Sequence, residues 1–204
     1  MLFGNGVGLS SDMKVIFLDI DGVMNSENKI LAMKEKVAKK EMTEHEMHER
    51  WDWPSIETIA PLKRIVQETG AIIVLSSTWR HTSRWEPLKQ LFVDNGLLIT
   101  DRTCHGVYLS DVESFGFDIN NCYSVYSTEE GRMDAPYTTD RGAEIAKWLS
   151  EHPDVESFVI IDDDWPDIIP YYPDNYVQTY FYGDWGLTEE KATEAIKILG
   201  GKKA

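Results

Sequence analysis

Three short apolar, β-branched runs, each stopping at acid or serine, constrain this chain more than any other feature. Lys14-Val15-Ile16-Phe17-Leu18 stops at Asp19-Ile20-Asp21-Gly22. Ala71-Ile72-Ile73-Val74-Leu75 stops at Ser76-Ser77, and Ser157-Phe158-Val159-Ile160-Ile161 stops at Asp162-Asp163-Asp164. Runs this short and this apolar read as strands of a sheet covered on both faces. Leu97 to Thr100 reads as a further strand, and Tyr176 to Tyr180 as a fifth.

Helical spacing separates them. Ile56, Ile59, Leu62, Ile65 and Val66 mark a helix over 55–69, stopped by Gly70 as a C-terminal cap. Leu88, Leu91 and Phe92 mark one over 86–95. Ile145, Trp148 and Leu149 mark one capped by Asp140, and Ala192, Ala195, Ile196 and Leu199 one capped by Thr188. Alternating strands and helices predict an α/β fold: a Rossmann-like α/β/α sandwich with a mostly parallel sheet. Two stretches break the alternation. Residues 26–54 are charged and helical in character, and 101–139 are rich in Tyr, Ser, Asn and Asp. Both read as small cap or lid insertions over the carboxyl edge of the sheet, within a single domain over 13–204. Residues 1–12 read as a loose leader.

The 204 residues suffice for one full core, and 42% hydrophobic content is that of a globular chain. No apolar run has the roughly 20 residues of a membrane helix. Cys104 and Cys122 lack metal-ligand spacing and read as reduced thiols, which places the chain in the cytoplasm. The net charge of −15 opposes sequence readout on duplex DNA. It does not oppose a small phosphorylated substrate, because a bound divalent cation inverts the local sign. Nothing in the sequence fixes the oligomeric state.

The strand ends carry the chemistry, since sites in parallel sheets lie at the carboxyl edge. Asp19 and Asp21, two apart, share one side of an extended chain, and Gly22 permits a sharp turn after them. Two such carboxylates need a cation, or one must keep its proton. Either outcome suits phosphoryl transfer: an ionised Asp19 attacks phosphorus, and a protonated Asp21 serves the leaving oxygen. Alone, Asp-x-Asp-Gly is equally an Asx turn closing a strand. Ser76 can hold a phosphate oxygen. Arg141 opens a helix, where a cation is unfavourable without an anionic partner. Lys147 is a second cation for the same work. Asp162 and Asp163 are hard oxygen ligands of the kind Mg2+ takes. Arg80 can pair with phosphate, although an ion pair with acid explains it equally. Lys29, Lys34, Lys36, Lys39 and Lys40 crowd the first insertion; they read as a solvated face unless it overhangs Asp19. Trp51, Trp53 and Trp79 can stack on bases but suit core packing as well.

The order Asp-x-Asp-Gly, Ser, Arg or Lys, Asp-Asp-x-x-x-Asp resembles the haloacid dehalogenase (HAD) superfamily over residues 13–199. Within it the chain looks closest to the phosphatase-like HAD domains of Swiss Army Knife RNA repair proteins and related phage proteins. The likeness rests on Asp-Gly-Val-Met-Asn at 21–25, Leu-Ser-Ser-Thr-Trp-Arg at 75–80, Arg-Gly-Ala-Glu-Ile-Ala-Lys-Trp-Leu at 141–149, Ile-Asp-Asp-Asp at 161–164 and Gly-Leu-Thr at 186–188. The resemblance implies Asp19 as nucleophile, Asp21 as acid/base, and Ser76, or else Ser77, as the hydroxyl group. It implies Arg141, or else Lys147, as the basic residue. It also implies Mg2+ held by Asp19, Asp21, Asp162 and Asp163, with Asp167 in support; Gly22, Ser77, Arg80 and Lys147 would then meet substrate. The activity it implies is an Mg2+-dependent phosphomonoesterase working through an aspartyl phosphate, acting on a nucleotide or an oligonucleotide end. A phosphotransferase or a small-metabolite phosphatase shares that chemistry. A signalling receiver domain also pools acids around Mg2+, but there the acid pair follows the first strand and a lone acceptor ends a middle one.

Overall fold

The structure is a computed structural model describing residues 13–51, 53–128, 133–183 and 186–200. The leader expected over residues 1–12 lies outside them. Along the chain run β1 (Met13–Leu18), α1 (Glu27–Ala38), α2 (Glu44–Arg50), α3 (Ile56–Thr69), β2 (Ile72–Leu75), α4 (Trp85–Asp94) and β3 (Ile99–Arg102). Then come β4 (Val107–Tyr108), α5 (Leu109–Ser114), β5 (Val125–Tyr126), β6 (Tyr137–Thr138), α6 (Arg141–Glu151), β7 (Val155–Asp162), β8 (Tyr176–Gln178) and α7 (Glu189–Ile198).

Among the described residues, five strands form one sheet in the order β3-β2-β1-β7-β8, with every pairing parallel. The chain is thus an α/β sandwich of the expected kind. β1 lies at its centre, and alternation decides which neighbour each side chain meets. Val15 and Phe17 face Ile145 and Trp148 of α6, with Val74 and Ile160. Ile16 and Leu18 face Leu62 and Ile65 of α3, Phe92 of α4 and Ile196 of α7. Residue 19 has the parity of Val15 and Phe17, so a side chain there projects toward the α6 layer. Leu18 is in register with Leu75 on one side and Ile161 on the other. Asp19, Ser76 and Asp162 therefore end three adjacent strands at one level. The backbone continues that register, with Ser76 N–H donating to Leu18 O at 2.8 Å and Asp19 N–H to Ile161 O at 3.0 Å.

Helix boundaries follow the sequence closely. Gly70 ends α3 at φ 72°, in the left-handed region. The third strand begins two residues later than its apolar run suggests. Gly96 and Leu97 N–H groups still close the last turn of α4, bonding Val93 O and Phe92 O, so the chain extends only from Ile99. Residues 101–139, expected as a small insertion, contain α5 and an antiparallel sheet in the order β4-β6-β5. Residues 26–54 form α1 and α2, as their charge pattern suggests. These two segments leave from the carboxyl ends of β3 and β1 respectively. Cys104 and Cys122 are free thiols. Among the described residues, no helix is long and apolar enough to cross a membrane.

Asp140 does precede α6, but its carboxylate does not cap the helix. It accepts instead from Tyr123 N–H and Ser124 N–H, both at 2.8 Å, and from the Tyr171 hydroxyl at 3.1 Å. The first turn of α6 is satisfied by Asp167, whose carboxylate accepts from Arg141 N–H at 2.9 Å and whose carbonyl accepts from Gly142 N–H at 3.0 Å. Gly142 is needed for this contact, because a Cβ there would lie 2.4 Å from Tyr171 Cγ. Gly142→Ala is expected to cost about 1–3 kcal/mol through overpacking, read as a lower urea midpoint with an unchanged slope.

Candidate active site

The three strand ends bring acid together in a nearly dry place. Asp19 is 6% exposed and Asp162 only 2%. One oxygen each of Asp19, Asp162 and half-buried Asp163 lie within 4.8 Å of one another. Gly22 makes room for the third: a Cβ at this position, already at φ 73°, would come 2.1 Å from Asp163 Oδ2. Oxygen-only donors at this spacing are what a hard divalent cation takes. The Asp162 Oδ2 atom is buried and accepts no hydrogen bond, which leaves a lone pair for such a cation. The cluster could therefore hold a metal ion.

Arg141 provides the counter-charge that belongs to the chain itself. Opening α6, its guanidinium lies 3.9 Å from Asp19 Oδ1, 3.6 Å from Asp162 Oδ2 and 3.7 Å from Glu144 Oε2. Burial alone would lower its pKa, but Asp162, Asp19, Glu144 and Asp167 outweigh that and raise it. Lys147, the other cation considered, is not brought to the site. It lies on the outer side of α6, 3.3 Å from Glu151 and 3.9 Å from Asp111. The i,i+4 spacing that pairs it with Glu151 also turns it away from the strand ends.

Arg80 is likewise not available to substrate, which corrects the expectation that it meets phosphate. It is 1% exposed, and its guanidinium donates to the carbonyls of Ser77, Thr103 and Cys104 and to Glu144 Oε2. Glu144, buried on α6 one turn before Trp148, belongs to no recognisable sequence pattern, and only the fold shows the cations that hold it there. It accepts from Arg80 at 2.5 Å and from Gly106 N–H at 3.0 Å, while lying beside Arg141. Burial alone would raise its pKa, yet the contacts with His105, Arg80, Arg141 and Gly106 N–H hold it below the ordinary range. Glu144 thus ties α6 to the turn after β2 through Arg80, and to the second insertion through Gly106.

Asp21 stands outside the three-acid group. β1 ends at Leu18 and the chain turns over 21–24, so the alternation that would align Asp21 with Asp19 does not extend that far. Its carboxylate is exposed but held at both oxygens, by Trp79 Nε1–H at 2.9 Å and by the Asn25 amide at 3.0 Å. Asn25 in turn accepts from Gly22 N–H at 2.9 Å, locking the turn. Trp79 and Asn25 sit in the two motifs of the sequence, but their hydrogen-bonding roles become visible only in the fold. Of the two hydroxyls, that of Ser77 acts on Asp19, lowering its pKa. Ser76 Oγ is buried close by and has no partner.

Protonation follows burial. Asp19 is raised to about 7, chiefly by desolvation, against the lowering effects of Arg141 and Ser77. Asp162 is raised well above the ordinary range by burial and by Asp19. Burial also raises Asp163 and Asp167 to about 6.

A central parallel strand that presents a buried aspartate to a helix-borne cation and to a second acidic strand is the arrangement expected of a haloacid dehalogenase-type domain. Residues 15–192 match the family described as the HAD domain in Swiss Army Knife RNA repair proteins, and the chain belongs to that family. No curated protein and no solved structure matches it.

Two outcomes follow from the electrostatics. Carboxyls raised in the folded state bind more protons than in the unfolded chain between about pH 4 and 7, so the metal-free protein loses stability as pH rises through that window. Its Tm is expected to fall from pH 5 to pH 8, and added Mg2+ to raise Tm more at pH 8 than at pH 5, by calorimetry. Glu144→Gln leaves two buried guanidiniums without their shared anion and is expected to cost about 3 kcal/mol, measured by urea unfolding.

Proposed function

We propose that this chain is an Mg2+-dependent phosphomonoesterase with Asp19 as nucleophile and a nucleotide or nucleic-acid end phosphate as substrate. One observation carries the reading: the buried Asp19 carboxylate meets Asp162 and Asp163 oxygens within 4.8 Å and the Arg141 guanidinium at 3.9 Å. Burial of acid to this degree is unfavourable unless cations enter. A phosphate brings more negative charge, so the site has to supply positive charge on two sides of it.

Asp19, Asp162 and Asp163 would hold Mg2+, which neutralises the phosphoryl oxygens and keeps Asp19 ionised. Arg141 and the hydroxyls of Ser76 and Ser77 would take the remaining phosphoryl oxygens. An Asp19 oxygen attacks phosphorus and the bond to the ester oxygen breaks. Asp21 donates its proton to that leaving oxygen. It then takes a proton from a water molecule that attacks phosphorus, breaking the bond to Asp19 and releasing inorganic phosphate. Asp21 is suited to both steps, being exposed to water and aimed by Trp79 and Asn25.

The family's occurrence in RNA repair proteins supports a nucleic-acid end as substrate. Asp19→Asn is expected to abolish Mg2+-dependent phosphate release from an aryl phosphate and from terminally phosphorylated oligonucleotides. Undiminished release in that variant would exclude Asp19 as nucleophile.

A further inference from the structure

A groove of about 760 Å³ lies between the α1–α2 hairpin and α3, beside the catalytic turn but separate from the acidic cluster. Its walls are mostly apolar, with Met33, Met42, Pro61 and Leu187 among them, and Lys29, Lys36 and Arg50 also line it. In a chain of net charge −15, three cations against two acids give the lining of this groove a small positive excess. Of the lysines crowding residues 29–40, only Lys29 and Lys36 line it; Lys39 pairs with Glu35 at 2.7 Å outside it. Two acids also line the groove. Glu189 is engaged by Arg64, and Glu57 opposes the cations.

The groove is built onto the site. Lys29 holds the hairpin closed by donating to the carbonyls of Arg50 and Trp53. Ser55 N–H and the Thr58 hydroxyl, both of lining residues, bond Met24 O at 3.1 and 2.7 Å, and Leu187 N–H bonds Val23 O at 2.8 Å. At the groove's inner end, Ser26 follows Asn25, and Trp53 packs edge-on against Trp79 with ring centroids 5.1 Å apart. Asn25 and Trp79 are the residues holding Asp21. The groove thus ends one side-chain layer from Asp21, the group that serves the leaving oxygen in the proposed reaction.

We propose that this groove seats the leaving-group side of the substrate: the nucleotides adjoining the terminal phosphate of a single-stranded oligonucleotide. Apolar walls and Trp53 accept bases, and exposed Lys36 and Arg50 face the phosphodiesters. The volume falls in the range of sites that enclose a nucleotide-sized ligand, which a duplex exceeds. An acidic peptide shares this charge and apolarity, but would gain nothing from a groove that ends at a phosphate site. The inference rests on the proposed phosphatase reading for the position of the terminal phosphate.

The test is fluorescence anisotropy of dye-labelled hexanucleotides, with and without a terminal phosphate, on the Asp19→Asn protein. Adding Lys36→Glu and Arg50→Glu together is expected to weaken binding about tenfold or more and to flatten the slope of log K against log salt by roughly 1.4, two single-strand phosphate contacts. Lys34→Glu with Lys39→Glu, the same total charge change outside the groove, is expected to shift Kd less than twofold. In the otherwise native protein, the kcat/KM ratio of phosphorylated hexanucleotide to aryl phosphate should fall with the double reversal. Equal Kd and slope in double variant and parent would overturn the groove assignment, as would binding that is indifferent to the terminal phosphate. Groove-dependent binding by a protein inert on every phosphate ester would instead overturn the phosphatase reading alone.

Discussion

The buried meeting of Arg141 with Asp19, Asp162 and Glu144 is the interaction on which the rest of the molecule depends. Each of these carboxylates is at most a few per cent exposed, and without a cation the cluster would have to be protonated or dissolve. The guanidinium has to arrive at one height and one angle, which explains the attention the fold gives to α6. Asp167 secures the first turn of that helix, Gly142 lets it close on Tyr171, and Phe17 packs edge-on against its Trp148 at 5.3 Å. Glu144 holds the inner face of the guanidinium and links it to Arg80. A chain of alternating charge, Arg80–Glu144–Arg141–Asp19, runs from the turn after β2 through α6 to the end of β1.

Such a network is fragile to removal of any one member, since each leaves an uncompensated charge behind. The same fragility serves the chemistry. The acids are kept close enough to repel, and burial pushes Asp19 up to about 7, so entry of a cation would relieve the repulsion and ionise Asp19, the proposed nucleophile, together. Asp21, by contrast, sits in water and is fixed by two neutral donors. One turn of the chain therefore holds two carboxylates in opposite environments, Asp19 buried and Asp21 exposed.

The fold was legible because its signals are local. Apolar runs ending in Asp19, Ser76 and Asp162 marked the strands, and helical stripes with Gly70 and Thr188 as caps marked what covers them. Parallel register then brought those three ends to one level without further information. What stayed hidden depends on contacts distant in sequence. Arg80 and Lys147 look like phosphate ligands in isolation; a buried Glu144 claims the first, and an acidic neighbour one turn away turns the second outward. Trp79 reads as a packing or base-stacking residue and Asn25 only as part of a motif, since nothing in the sequence shows that they converge on Asp21. The small antiparallel sheet within 101–139 escaped because its two-residue strands are too short to show a period.

The central claim is that phosphate passes through Asp19. The most direct measurement is acid quenching during turnover of a phosphorylated substrate with Mg2+, borohydride reduction, and mass spectrometry of the peptide spanning β1 and its turn. A covalent phosphate on Asp19 reduces to homoserine at that position, and the account predicts this conversion there and nowhere else. Conversion at Asp21, Asp162 or Asp163, or steady turnover with no residue converted, would contradict it.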